Sequence, residues 1–277
     1  MKEDRRKTSI LGIGWLGFPL AKKLIKIGYN VKGSTTSESK LENLKTNNIK
    51  PFQIELSEKE INGNIEGFLD DSEILIIDIP PKLRRNPKEN FVEKMKLLIT
   101  EIEKSTVKNV LFVSSTSVYA DGFPIVEIDE NSIPNPDSDS GEQLLQVEKL
   151  LLSNNNFQTT ILRFGGLIGE DRHPIKFLAG KTNVENPDAP INLIHQEDCI
   201  GIIVEMLNRV QHDREIGNVV FNAVTPQHPA RKEYYTQKAI ENNLSLPIFD
   251  DSKKSVGKLI SSKKVEEVLA YKFTAEI

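Results

Sequence analysis

A chain of 277 residues is long enough for one large α/β domain with a smaller companion. Its 36 Lys and Arg against 40 Asp and Glu leave a net charge of −4, which gives no electrostatic footprint for nucleic acid or an anionic membrane. A composition of 38% hydrophobic and 27% charged residues excludes a disordered chain. The single cysteine, Cys199, rules out an intrachain disulfide and a multi-cysteine metal site, so a reducing cytoplasm is the expected setting.

Near the start, Lys2, Arg5, Arg6 and Lys7 precede an apolar run over 10–21 in the manner of a secretory signal. The run is far shorter than the ~20 residues a membrane helix needs, and Lys22 and Lys23 stand where a cleavage site would be small and neutral. It is therefore expected to belong to the fold. Apolar runs then alternate with amphipathic stretches, the pattern of a parallel sheet wrapped by helices. Residues 8–13 read as the first strand. Residues 15–28 read as a helix with Leu16, Leu20, Leu24 and Ile27 on one face and Gly28 as its carboxyl cap. Strands are expected at 29–34 and 49–54 around a helix at 37–45. The continuous apolar run over 73–79 fits a strand buried on both faces, ended by Pro80-Pro81.

A helix at 90–104 leads to a fifth strand at 109–114, a helix at 141–152 and a strand at 159–164. The polar stretch 129–140 is a loop, of a length that is usually functional or mobile. Beyond it, a short strand at 191–194, a helix at 197–208 and a strand at 219–221 precede a polar carboxyl-terminal third. The expected fold is a doubly wound parallel sheet, with 1–170 and 191–222 in the main domain and 171–190 and 223–277 in a small substrate-side subdomain.

Gly12-Ile13-Gly14-Trp15-Leu16-Gly17 is a G-x-G-x-x-G between an expected strand and an amphipathic helix. Gly12 suits the tight turn, Gly14 lets backbone approach a pyrophosphate, and Gly17 brings the helix close to the strand. The helix amino terminus offers free N–H groups and partial positive charge to the anion. Gly12, Gly14, Trp15, Leu16, Gly17 and Pro80 are thus the expected dinucleotide-binding positions. An NAD site usually carries an acidic residue about 20 positions on; none appears here before Glu38. Ser34, Thr35 and Thr36, with Lys32 or Lys40 nearby, would tolerate a 2′-phosphate, which favours NADP over NAD.

Ser114-Ser115-Thr116-Ser117-Val118-Tyr119 follows the fifth strand, on the edge where open α/β sheets bind ligands. With Leu162–Gly169, Arg172-His173-Pro174, Ala179-Gly180-Lys181, Asn192–Asp198 and His228-Pro229-Ala230-Arg231, it makes the chain resemble the extended short-chain dehydrogenases/reductases. Within them it is most similar to the atypical YeeZ-like branch of the NAD-dependent epimerase/dehydratase family. The resemblance implies a small-molecule substrate, of nucleotide-sugar type, and hydride chemistry on a nicotinamide cofactor. It also implies that Ser115 holds a substrate oxygen. The family's Tyr-x-x-x-Lys pair, whose lysine lowers a phenol pKa otherwise near 10, has no counterpart at the matching helix: Ser140 and Leu144 stand there. Ser140-x-x-Gln143 reads instead as a capping box.

Three assignments remain. The first is an enzyme with another acid or base, drawn from Tyr119, His173 or His195, the last of which lines the site or fixes a turn in relatives. The second is a non-catalytic NADP(H) sensor or nucleotide-binding regulatory module. The third is a partner-binding protein with a vestigial cofactor site, against which the intact glycine motif counts. Arg163 and Lys181 are candidates for a substrate phosphate or carboxylate, with the surface ion pair as their ordinary alternative. His228 matches the branch without an assigned role, His212 reads as a solvated turn, and Cys199 as a small buried residue.

Overall fold

The computed structural model describes residues 6–81, 83, 86–211 and 217–277; His212 lies outside them. A seven-stranded central sheet is built from β1 (Lys7–Leu11), β2 (Asn30–Thr35), β3 (Lys50–Gln53), β4 (Ile74–Ile77), β5 (Asn109–Ser115), β6 (Gln158–Phe164) and β7 (Val219–Ala223). Their order is β7-β6-β5-β4-β1-β2-β3, and β1 to β5 run parallel to their neighbours in register, as in Thr8 opposite Val31 and Ile74. This is the doubly wound Rossmann arrangement expected from the sequence. The strand order reverses between β1 and β4, the switch point beside whose carboxyl ends open α/β sheets bind ligands.

The local chemistry explains the elements. Ile74, Leu75, Ile76 and Ile77 are all buried, as a strand covered on both faces requires. Helix α1 (Gly17–Lys26) buries Leu20, Ala21 and Leu24 and turns its lysines outward. It ends with Gly28 at φ +98°, Gly28 N–H donating to Ile25 O and Tyr29 N–H to Leu24 O, a Schellman closure. Helices α2 (Leu41–Thr46), α3 (Ile65–Leu69) and α4 (Phe91–Glu103) follow, then α5 (Asp139–Leu152).

At α5 the expected capping box is corrected. The helix starts two residues before the expected boundary, with Ser138 Oγ accepting from Gly141 N–H. Gln143 Oε1 accepts from Phe91 N–H instead, at the start of α4. Leu144, Val147 and Leu151 are buried, as their spacing indicated.

Two compact units divide the chain: residues up to Ser115 with Ser138–Arg163 and Ile203–Val220, and Thr116–Asp137 with Phe164–Ile202 and Phe221–Ile277. The second holds α6 (Ile175–Leu178), α8 (Arg231–Glu241), α9 (Lys263–Leu269) and the parallel pair Gly166–Ile168 with Leu193–His195. Its core gathers Ile168, Ile175, Val184, Ile191, Leu193, Tyr234, Tyr235, Ala239 and Phe249. Helix α7 (Gln196–Gln211) begins in it, and buried Asp198 accepts from Tyr271 Oη at 2.8 Å and from the main-chain N–H groups of Thr274 and Ala275. Among the described residues no helix is long and apolar enough to cross a membrane.

Candidate functional site

The glycine turn joins β1 to α1 through main-chain geometry that side chains would obstruct. Gly12 adopts φ +104°, and a Cβ there would lie 2.3 Å from Asp78 O; a Cβ on Gly17 would lie 2.3 Å from Gly12 O. Both glycines are therefore required by packing. Gly14 differs: a Cβ there would meet nothing within 4 Å. It is exposed beside the amino terminus of α1, whose first turn carries no acidic residue and whose capping position, Leu16, offers no side-chain acceptor. Open space, main-chain donors and a helix amino end together fit a diphosphate. Trp15 is half-buried within the turn and Leu16 is buried.

Two side chains finish this turn. Ser34 Oγ, at the end of β2, accepts from Gly12 N–H at 3.0 Å, and Ile13 N–H donates to Ser34 O. Asp78, just past β4, accepts from Gly17 N–H, yet burial outweighs that bond and pushes its pKa up to about 7. Sequence reasoning passed over Asp78 because it reads as one polar residue in an apolar strand. Thr35 Oγ1 accepts from Ser37 N–H, while Thr36 and Lys40 are exposed. Lys32 donates to the carbonyls of Gly67 and Asp70. Pro80 is exposed.

The candidates for catalysis are placed as follows. Ser115 is half-buried at the carboxyl end of β5. Tyr119 is buried, its hydroxyl donating to Asp129 O at 3.2 Å. His173 accepts from Ile175 N–H on Nδ1, so its neutral ring carries the proton on Nε2 and donates to Tyr234 Oη at 2.8 Å. Burial first, then Lys238 and Lys176, lowers its pKa. His195 Nδ1 accepts from Glu197 N–H and fixes the start of α7.

Arg163 is buried with a planar fork on Glu148: its Nε lies 3.0 and 3.1 Å from the two carboxylate oxygens, and one of those also accepts from Ser114 Oγ at 2.5 Å. The Lys181 side chain is exposed.

The Tyr-x-x-x-Lys spacing does occur once, at Tyr234 and Lys238 on α8, outside the matching helix α5. Tyr234 is buried in the core of the second unit, and burial raises its pKa above the ordinary phenol value, the opposite of what proton transfer requires. Arg231, at the start of the same helix, faces a cavity of about 240 Å³ with Lys258. Sequence reasoning had matched Arg231 to a family motif without giving it a function. Among the described residues there is no cluster of ligating side chains suited to a metal.

No family model matches the chain. The protein YeeZ of Escherichia coli K12 is 31% identical over 271 residues, covering 97% of this chain and 96% of that protein, and YeeZ of strain O157:H7 matches to the same extent. The chain belongs to the YeeZ family. Among solved structures, this YeeZ-like fold is similar to UDP-glucuronic acid 4-epimerase from Bacillus cereus, in complex with NAD. The TM-score is 0.78 at 18% identity, with 98% of this chain and 92% of that one covered. UDP-glucose 4-epimerase from Thermotoga maritima, with UDP-glucose, gives a TM-score of 0.77 at 16% identity, covering 98% and 94%.

Proposed function

We propose that this YeeZ-like chain binds a nicotinamide dinucleotide at the turn Gly12–Gly17, NADP in preference to NAD, and acts on a small-molecule substrate of nucleotide-sugar type. The observation that carries this reading is Gly14, which leaves room where its two partner glycines are closed off by packing. The absence of an acid between β2 and Glu38, with Thr36 and Lys40 exposed at that edge, favours the 2′-phosphate. A bound nicotinamide would supply the hydride acceptor and donor. Ser115 would hold a substrate oxygen at the end of β5, and segments 171–190 and 223–277 would form the substrate side. The single buried Cys199 suits a reducing cytoplasm.

A second reading, a dinucleotide binder without turnover, is favoured by the side chains that replace or surround the usual proton donor. Leu144 is buried on α5, Tyr119 is held on a carbonyl, and both ring nitrogens of His173 are engaged.

The test is Gly14→Val. Because the added side chain meets open space, the thermal midpoint should stay near that of the parent, while NADPH affinity measured by calorimetry falls at least about tenfold, a loss of roughly 1.4 kcal/mol. Unchanged affinity would refute the dinucleotide reading. Turnover of any nucleotide sugar that is lost in Ser115→Ala would decide for the enzyme over the sensor.

A further inference from the structure

The second unit contains a cavity of about 240 Å³ whose charged lining consists of Arg231, Lys258 and Asp121, with Tyr235, Asn192 and Thr116 among the uncharged walls. Lys258 is already engaged: its ammonium donates to Tyr119 O at 2.5 Å and lies 3.3 Å from Asp121. Arg231 is not. Among the described residues it makes no ion pair, its guanidinium lies 5.7 Å from the Tyr235 ring centroid, and its buried Nε has no acceptor. A guanidinium N–H buried without an acceptor is costly, since it has given up water and gained nothing in return. The planar fork it presents matches a carboxylate or phosphate.

The main chain around the cavity is braced. The main-chain N–H of Arg231 donates to Ala189 O, that of Ile191 to Pro229 O, and His228 Nδ1 bonds Ile191 O at 2.9 Å. Asn192 donates to Lys258 O and accepts from Ile260 N–H, and Gly122 and Gly257 exchange both main-chain hydrogen bonds. A cavity so braced is preorganised, which lowers the ordering cost of binding. Its volume falls below the range of pockets that enclose a whole drug-sized ligand, so it receives one charged end of a molecule.

We propose that this cavity is an oxyanion subsite, in which the Arg231 fork binds a carboxylate or phosphate beside the Lys258–Asp121 pair. Assigning that anion to the substrate of a dinucleotide-dependent reaction rests on the preceding section; the anion preference of the cavity does not.

The experiment is calorimetry of the full chain with inorganic phosphate and, separately, malonate. One probe should bind, and this identifies the class of oxyanion. Arg231→Gln should weaken it at least tenfold, Arg231→Lys should weaken it too by removing the fork while keeping the charge, and Gly14→Val should leave it unchanged. NADPH affinity should be the same in Arg231→Gln as in the parent. Failure of both probes to bind at millimolar concentration would overturn the proposal. So would parent-like anion affinity in a folded Arg231→Gln or Arg231→Lys protein, or anion binding lost in Gly14→Val and kept in Arg231→Gln. If the parent ignores NADPH while the anion result holds, the dinucleotide reading fails and the subsite stands.

Discussion

Asp78 places a carboxyl group at the amino end of α1, where Gly17 N–H is its donor and burial sets its pKa near 7. In the unfolded chain its pKa lies near 3.8. Below that value both states are protonated and the group contributes nothing. Between the two values the unfolded chain ionises while the fold keeps its proton, so stability falls as pH rises, and above about 7 the full penalty is in place. Asp78→Asn keeps an acceptor for Gly17 and removes the titration. It should match the parent below about pH 3 and gain stability up to a plateau above pH 7, by as much as about 4 kcal/mol at 1.36 kcal/mol per unit. Urea unfolding across that range measures it, and a difference that does not vary with pH would refute it. At the same scale, the pairing of Arg163 with Glu148 was invisible beforehand: the two residues stand 15 apart on β6 and α5, and only their packing brings the fork and carboxylate together.

The α5 boundary shows what spacing alone resolves. Leu144, Val147 and Leu151 mark the buried face correctly, because periodicity reports which side is covered. It does not report where the first turn closes, and both Ser138 and Ser140 offer a suitable hydroxyl. The structure gives the cap to Ser138. Ser138→Ala should therefore cost about 1 kcal/mol and Ser140→Ala less than about 0.5 kcal/mol, compared by denaturant midpoints. Equal losses would return the cap to Ser140. By contrast, Gly28 was readable as the end of α1, since a lone glycine after an amphipathic run is a strong stop signal.

At the scale of the molecule, the central sheet was legible because parallel strands covered by helices must be continuous apolar runs, and Ile74–Ile77 is one. The carboxyl-terminal third was not. Helix α8 buries only Tyr234, Tyr235 and Ala239 along eleven residues, too few for the apolar stripe that announces a helix. The clamp of Asp198 on Tyr271 and Thr274 joins positions more than 70 residues apart, which no local pattern encodes.

The glycine turn carries one more consequence. Trp15 is the only tryptophan in the chain, and it directly follows the one glycine of the motif that faces open space. Its emission should therefore respond to whatever enters the turn, with no label attached. Reduced nicotinamide absorbs where indole emits, so NADPH should quench the native fluorescence through energy transfer. Gly14→Val should abolish the saturable part of that quenching, which makes the spectrum of the unmodified protein its own titration curve.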